Sequence, residues 1–221
     1  MFIPIGDDNS SRHKFPFFVF LIVGLNAFGW YLQLTLGDAF TAGFSTVPAE
    51  IVRGIDLINP TYARFDGQRL PIPQAVGPSP IYLTLFSAMF MHGSWMHIIG
   101  NMVYLLIFGD QIEDELGHLV FILFYLAAGL VAAGAQIIVE PNSTIPCLGA
   151  SGAIAGVLGA YLVLHTANRV RVLFFNRVIF VPAVIVLGMW GVSQVVGQVG
   201  SMSGQHSGVA YMAHLVDLSS V

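Results

Sequence analysis

Residues 148–167 read LGASGAIAGVLGAYLVLHTA, twenty residues without an Asp, Glu, Lys or Arg. That is the length a helix needs to cross a hydrocarbon core of about 30 Å. Three more stretches read the same way: 15–36, 119–139 (LVFILFYLAAGLVAAGAQIIV) and 178–198 (VIFVPAVIVLGMWGVSQVVGQ). The stretch 95–112 (WMHIIGNMVYLLIFGDQI) is apolar apart from His97 and Asn101 at its start, and 207–221 (SGVAYMAHLVDLSSV) begins like a span. The pattern predicts an all-α polytopic membrane bundle of six transmembrane helices, the sixth about five residues short.

Composition agrees. Of 221 residues, 56% are hydrophobic and 9% charged, against about 25% charged in a soluble domain. The net charge of −4 is spread out, and no basic stripe suggests nucleic acid. One cysteine, Cys147, rules out an internal disulfide and a multi-cysteine metal site. The first apolar run is long enough to span and no small-residue cleavage pattern follows it, so it reads as a retained helix after a tail of residues 1–14. The membrane domain is then 15–221. Its first loop, 37–94, is rich in Pro and Gly, too long to be structureless, and has an apolar second half (IYLTLFSAMF) suited to the interface or the bundle.

Charge sets the orientation. Arg12 and Lys14 precede the first span, and Arg169, Arg171 and Arg177 fill the link between the fourth and fifth. With six spans these lie on one side, which the positive-inside rule makes cytoplasmic. Spans two, four and six then enter from the outer face. His97, Asn101, Ser151 and His214 all fall within roughly 3–10 Å of the outer boundary at 1.5 Å per residue. Polar residues in spans are costly, so a shared layer asks for a reason. A serine becomes a nucleophile when a neutral histidine takes its proton, and the resulting oxyanion needs hydrogen-bond donors. His97 and Asn101, spaced i, i+4, share a helix face. With the backbone N–H of Ser151 they could supply those donors.

These residues carry a resemblance to the rhomboid intramembrane serine proteases. HGSWMHIIGN (His92 to Asn101) is similar to their H-x-x-x-N signature, GASG (Gly149 to Gly152) to their G-x-S-G nucleophile motif, and Ala213–His214 to the segment of their catalytic histidine; GDQIEDELG (Gly109 to Gly117) looks like the turn closing their second helix. The likeness runs from about Thr84 to Leu215. It implies Ser151 as nucleophile, His214 as general base and Asn101 and His97 as oxyanion stabilisers. It also implies a dyad without aspartate, transmembrane protein substrates cut within the bilayer, and no cofactor.

Other residues have plainer readings. Gly152 and Gly156 are expected to let helices four and six approach. His92 reads as structural, His165 as a satisfied polar core residue, Cys147 as a small filler, and Glu113, Asp114 and Glu115 as a solvated helix end closed by Gly117. The sequence departs from the family at Ala155, where many members carry an aromatic, and in lacking a Trp-Arg pair in the first loop. After Leu215, Asp217 and Val221 stand where the resemblance puts glycines. One added base in suitably chosen codons turns LVDLSSV into LGGFVLG, so the last seven residues are expected to be a shifted reading of a longer helix, with a real truncation or a divergent end as the alternatives. The matching alternative function is an inactive rhomboid-like protein that binds membrane clients without cutting them. A transporter or channel would favour charges near the midplane, which these spans lack apart from Asp217.

Overall fold

The computed structural model describes residues 2–7, 14–65 and 68–202. In chain order they form β1 (Phe2–Gly6), α1 (Phe17–Phe44), α2 (Pro48–Arg53), β2 (Thr61–Phe65) and β3 (Gln68–Ile72). Short helical turns over Ile81–Phe90 follow, containing α3 (Thr84–Ser87). Then come α4 (Trp95–Leu116), α5 (His118–Val139), α6 (Ser151–Leu164), β4 (Arg169–Phe174), β5 (Arg177–Pro182) and α7 (Ala183–Met202). Helices α1, α4, α5, α6 and α7 are the first five expected spans; the sixth, with His214 and Asp217, lies outside the described residues.

The bundle is apolar inside and out. Val19 and Ile22 of α1, Leu105, Phe108 and Ile112 of α4, Phe121 and Tyr125 of α5, and Ile154, Val157 and Tyr161 of α6 are fully buried together. Phe20, Leu25, Phe28, Leu34, Leu123, Val131 and Ile138 lie exposed on the outer surfaces of α1 and α5, the two helices plainly long and apolar enough to cross a membrane. Lipid is as apolar as these side chains, so close packing of small residues has to hold such helices together. A Cβ on Gly152 would lie 2.6 Å from the Ala132 Cβ, and one on Gly156 2.4 Å from the Ala128 Cβ. Among the described residues the close approach these glycines permit is to α5, the third span; the expected approach to the sixth falls on residues outside the described ones. Each helix offers a small residue at i and i+4, and the two stripes meet.

Three elements differ from the sequence reading. The run 178–198 divides: residues 177–182 pair with 169–174 as an antiparallel hairpin, and α7 starts only at Ala183. The β-branched content of RVRVLF and RVIFVP favours strands there. The first residues are not a free tail, since β1 adds to β4 (Ile3 opposite Leu173, Pro4 opposite Val172), making a three-stranded sheet in the order β1–β4–β5. Glu113 is not solvated either. It is fully buried, and its carboxylate accepts from the backbone N–H groups of Phe18 (2.9 Å) and Val19 (2.8 Å), while His118 Nδ1 lies against it. Pro16 precedes α1 without a side-chain cap, so Glu113 meets the exposed positive end of that helix from another element. Gly117 does close α4, its N–H donating to Glu113 O at 2.8 Å.

The first loop is built, as its length required. Helix α1 bends at Gly37, whose φ of 77° and ψ of −165° are non-helical and open to glycine. Beyond α2 and the β2–β3 hairpin, Ile81, Thr84, Ala88 and Met89 are buried against the bundle.

Candidate active site

Ser151 opens α6, and what precedes it is irregular backbone running from Glu140, the residue that follows α5. The first loop grips that backbone along its length. Ala49 N donates to Ser143 O (3.0 Å), and Gln74 Nε2 to Thr144 O (2.8 Å). Thr46 and Cys147 exchange both backbone bonds (3.0 and 2.8 Å), and Gly149 N donates to Ala88 O (2.8 Å). Two residues before the serine the chain is thus tied to the buried turn at Ala88.

Gly149 has a φ of 124°, a conformation that side-chain-bearing residues rarely adopt. It also leaves room for His97. A Cβ on Gly149 would stand 2.8 Å from Cε1 and 2.9 Å from Nε2 of the His97 ring, and 3.7 Å from Ser151 Oγ. His97 Nε2 and Ser151 Oγ therefore lie within 4 Å of one common point. The ring is held from behind, with Gly93 N–H directed at Nδ1 (3.4 Å) and the His92 ring packed edge-on at 5.0 Å between centroids.

Asn101, one turn further along α4 and buried, has Nδ2 3.0 Å from Nε2 of the fully buried His92. An amide nitrogen carries two hydrogens, so a donor remains after that contact. The structural role read for His92 is visible here, and it is directed at Asn101. Ala150, ahead of Ser151, provides no side-chain cap. The first turn of α6 consequently offers backbone N–H groups that the helix does not use, at the end of its dipole that favours negative charge.

Of the four residues singled out from the sequence, the structure brings His97 and Ser151 to one place and ties Asn101 to the histidine packed on His97; His214 lies outside the described residues. Ala155 and Gly159, on the same face of α6 as Ser151, leave a smooth stripe: Ala155 is exposed, and a Cβ on Gly159 would meet nothing within 4 Å. Cys147 is half-buried, its backbone paired with Thr46 and its thiol directed at Ile145 O (3.7 Å). Among the described residues no group of three His, Cys, Asp or Glu could hold a metal ion. Two contributors were overlooked in the sequence. Gln74 gave no signal; Gln33 did, as a polar residue inside the first span.

A helical membrane bundle with a serine at an uncapped helix start, beside a histidine of a neighbouring helix, defines the class of integral membrane protein to which this chain is assigned. It belongs to the rhomboid family, whose domain model matches residues 80–219. The chain is 36% identical to rhomboid protease GluP of Bacillus subtilis over 85 residues, 38% of this chain and 16% of that one. It is 30% identical to the putative rhomboid protease YdcA of the same organism over 95 residues, 43% of this chain and 44% of the relative. To RHOMBOID-like protein 5 of Arabidopsis thaliana it is 32% identical over 78 residues, 35% and 25% of the two chains. The matches thus span less than half of each of these relatives. No solved structure matches the chain.

Proposed function

We propose that the protein is an intramembrane serine endopeptidase acting on transmembrane protein substrates. Ser151 Oγ attacks the scissile carbonyl carbon while His214 accepts its proton; the tetrahedral oxyanion is held by Asn101, His97 and the unused N–H groups at the start of α6. Collapse expels the amine with the proton from His214, and water releases the acyl group from Ser151 by the reverse sequence. Each donor of this kind is worth roughly 10²–10³ in rate.

The observation that carries this reading is the glycine-lined contact at Gly149, which sets the His97 ring beside Ser151 at an uncapped helix start. The smooth stripe of Ala155 and Gly159 is suited to a sixth helix bringing His214 alongside. Pairing of β1 with β4 supports one side for the N-terminus and the Arg169–Arg177 link, and the positive-inside rule makes that side cytoplasmic, with the site opening to the outer face. GluP and YdcA, named as proteases, favour activity. Asp217, where the family shows glycine, favours the alternative of an inactive client-binding relative.

The test is labelling of the reconstituted protein with a fluorophosphonate, together with cleavage of a transmembrane reporter. Wild type is expected to label and cut, and Ser151→Ala and His214→Ala to do neither while remaining in the membrane. Cleavage surviving Ser151→Ala refutes the mechanism; a folded wild type that neither labels nor cuts leaves the client-binding reading.

A further inference from the structure

Gln33 sits in the first membrane span, where an amide is expensive unless every polar atom is bonded. It is 6% exposed, and its side chain takes both polar groups of one distant peptide: Oε1 accepts from His92 N at 2.8 Å, and Nε2 donates to His92 O at 2.9 Å. The same Nε2 donates to Thr41 Oγ1 at 3.1 Å, so the grip spans the bend at Gly37 and is anchored on both sides of it. Two bonds to one residue fix the rotation of its backbone as well as its position. That backbone belongs to the irregular stretch between the turns at 81–90 and the start of α4. From this fixed backbone the His92 ring, 0% exposed, reaches Asn101 Nδ2 at 3.0 Å and packs against His97. A leucine at 33 would leave the buried N–H and C=O of His92 without these partners.

We infer that Gln33 is a positioning residue for Asn101, acting through His92: the first span sets the aim of the oxyanion donor on the second. This deepens the proteolytic reading and rests on it. It also separates positioning from general stability, because the effect of Gln33 on rate should vanish once Asn101 has no amide to aim.

The experiment is a double-mutant cycle on the reconstituted full chain, with Gln33→Met, Asn101→Ala and the pair. Gln33→Met, which keeps the length and loses every bond, should lower kcat about tenfold with KM within about twofold, as for a donor that acts in the transition state. In the Asn101→Ala background it should change kcat by less than about twofold, since residues of one network are not additive. Amide exchange at residues 91–94 should speed up in Gln33→Met. Should that variant fold poorly, Thr41→Val removes the anchor on Gln33, together with the long bond from Thr41 Oγ1 to Gly37 O (3.5 Å), and leaves both bonds to His92 in place; a smaller loss of kcat, again absent with Asn101→Ala, is then expected. Unchanged exchange at 91–94, equal losses in both backgrounds, or a rise confined to KM each overturns the inference. A wild type that neither cuts nor labels removes the proteolytic reading and the catalytic half of this one, and the exchange measurement still decides whether Gln33 holds His92.

Discussion

Replacing Gly149 with alanine tests the site where its geometry is tightest. Two penalties meet at that position. A φ of 124° costs a residue with a side chain about 1–3 kcal/mol. The new methyl would also stand 2.8 Å from Cε1 and 2.9 Å from Nε2 of His97, where carbon atoms pack well only at about 3.5–4.0 Å. The ring cannot simply swing aside, because the Gly93 N–H and the His92 ring hold it; the backbone cannot back away without breaking the bond from Gly149 N to Ala88 O. The contact is relieved by a shift of somewhat under 1 Å, taken by His97 or by the turn that carries Ser151. A misplacement of about 1 Å can cost 10²-fold in rate, so Gly149→Ala should lower kcat about 10–10²-fold. It should also lower stability by about 2–4 kcal/mol, most of it the backbone strain. Reporter cleavage in nanodiscs and unfolding in mixed micelles measure the two. Removing the ring as well, in His97→Ala/Gly149→Ala, takes away the clash and leaves the strain, so the double variant should be about as fast as His97→Ala alone. A Gly149→Ala protein with wild-type rate and stability would refute the packing of His97 on Gly149, and with it the main support for the assigned site.

Two further predictions concern the opposite end of the bundle. Glu113→Ala leaves the N–H groups of Phe18 and Val19 without their carboxylate and should destabilise the fold by about 3–5 kcal/mol, read as earlier unfolding in detergent titration; a shift below about 1 kcal/mol would mean that α1 is capped some other way. Asp7 should make the docking of β1 sensitive to pH. Burial, aided by the charge of Asp110, raises its carboxyl from 3.8 to about 6 against the pull of the Tyr161 hydroxyl and Arg171. A raised value in the docked state means that the stabilisation is full below the ordinary value and is lost as pH rises through about 6. Exchange of the 2–6 amides, corrected for intrinsic rate, should therefore increase from pH 5 to 7.5 in wild type and stay flat in Asp7→Asn, while an opposite slope would contradict the burial of Asp7.

What could be read from the sequence was what depends on neighbours along the chain. Apolar runs place the helices because length and composition are local, and the GASG and H-x-x-x-N spacings place Ser151 beside a helix start and His97 with Asn101 on one face. Partner choice was not local. The small residues at 152 and 156 announce a close contact without saying which helix supplies it, and among the described residues Ala128 and Ala132 of α5 do so. Glu113 looked like one more charge in a solvated EDE run; only the fold brings the bare start of α1 to it. The strand at 177–182 was hidden because an apolar β-branched stretch beside a membrane span reads as more span, and the one at 2–6 because its partner, Arg171 to Phe174, lies far along the chain. Gln33 is a different case: a polar residue inside a span is a legible signal, and it went unused because only the histidines, the asparagine at 101 and the serine suggested chemistry.

The shape of the first loop follows from where Ser151 has to be. On the proposed reading Ser151 is a nucleophile at a helix start set below the outer boundary, which requires the chain before it to run as irregular backbone at a depth where water does not satisfy its polar groups. Such backbone is tolerated in a membrane only when buried in protein or lining a wet cavity. The first loop supplies the burial, with Ala49, Thr46, Gln74 and Ala88 bonding successive points from Ser143 to Gly149. Thr46 and Gln74 are themselves held, Thr46 Oγ1 donating to Thr84 O at 2.8 Å and Gln74 Nε2 to Thr61 Oγ1 at 3.1 Å, and next to Ala88 the Ser87 Oγ donates to Phe44 O at 2.7 Å. The loop is therefore the other half of the structure that positions the uncapped start of α6. Loosening it at Thr46, Gln74 or Ala88 should move Ser151 before it unfolds the bundle, because the buried side chains that α4, α5 and α6 share make their own contacts.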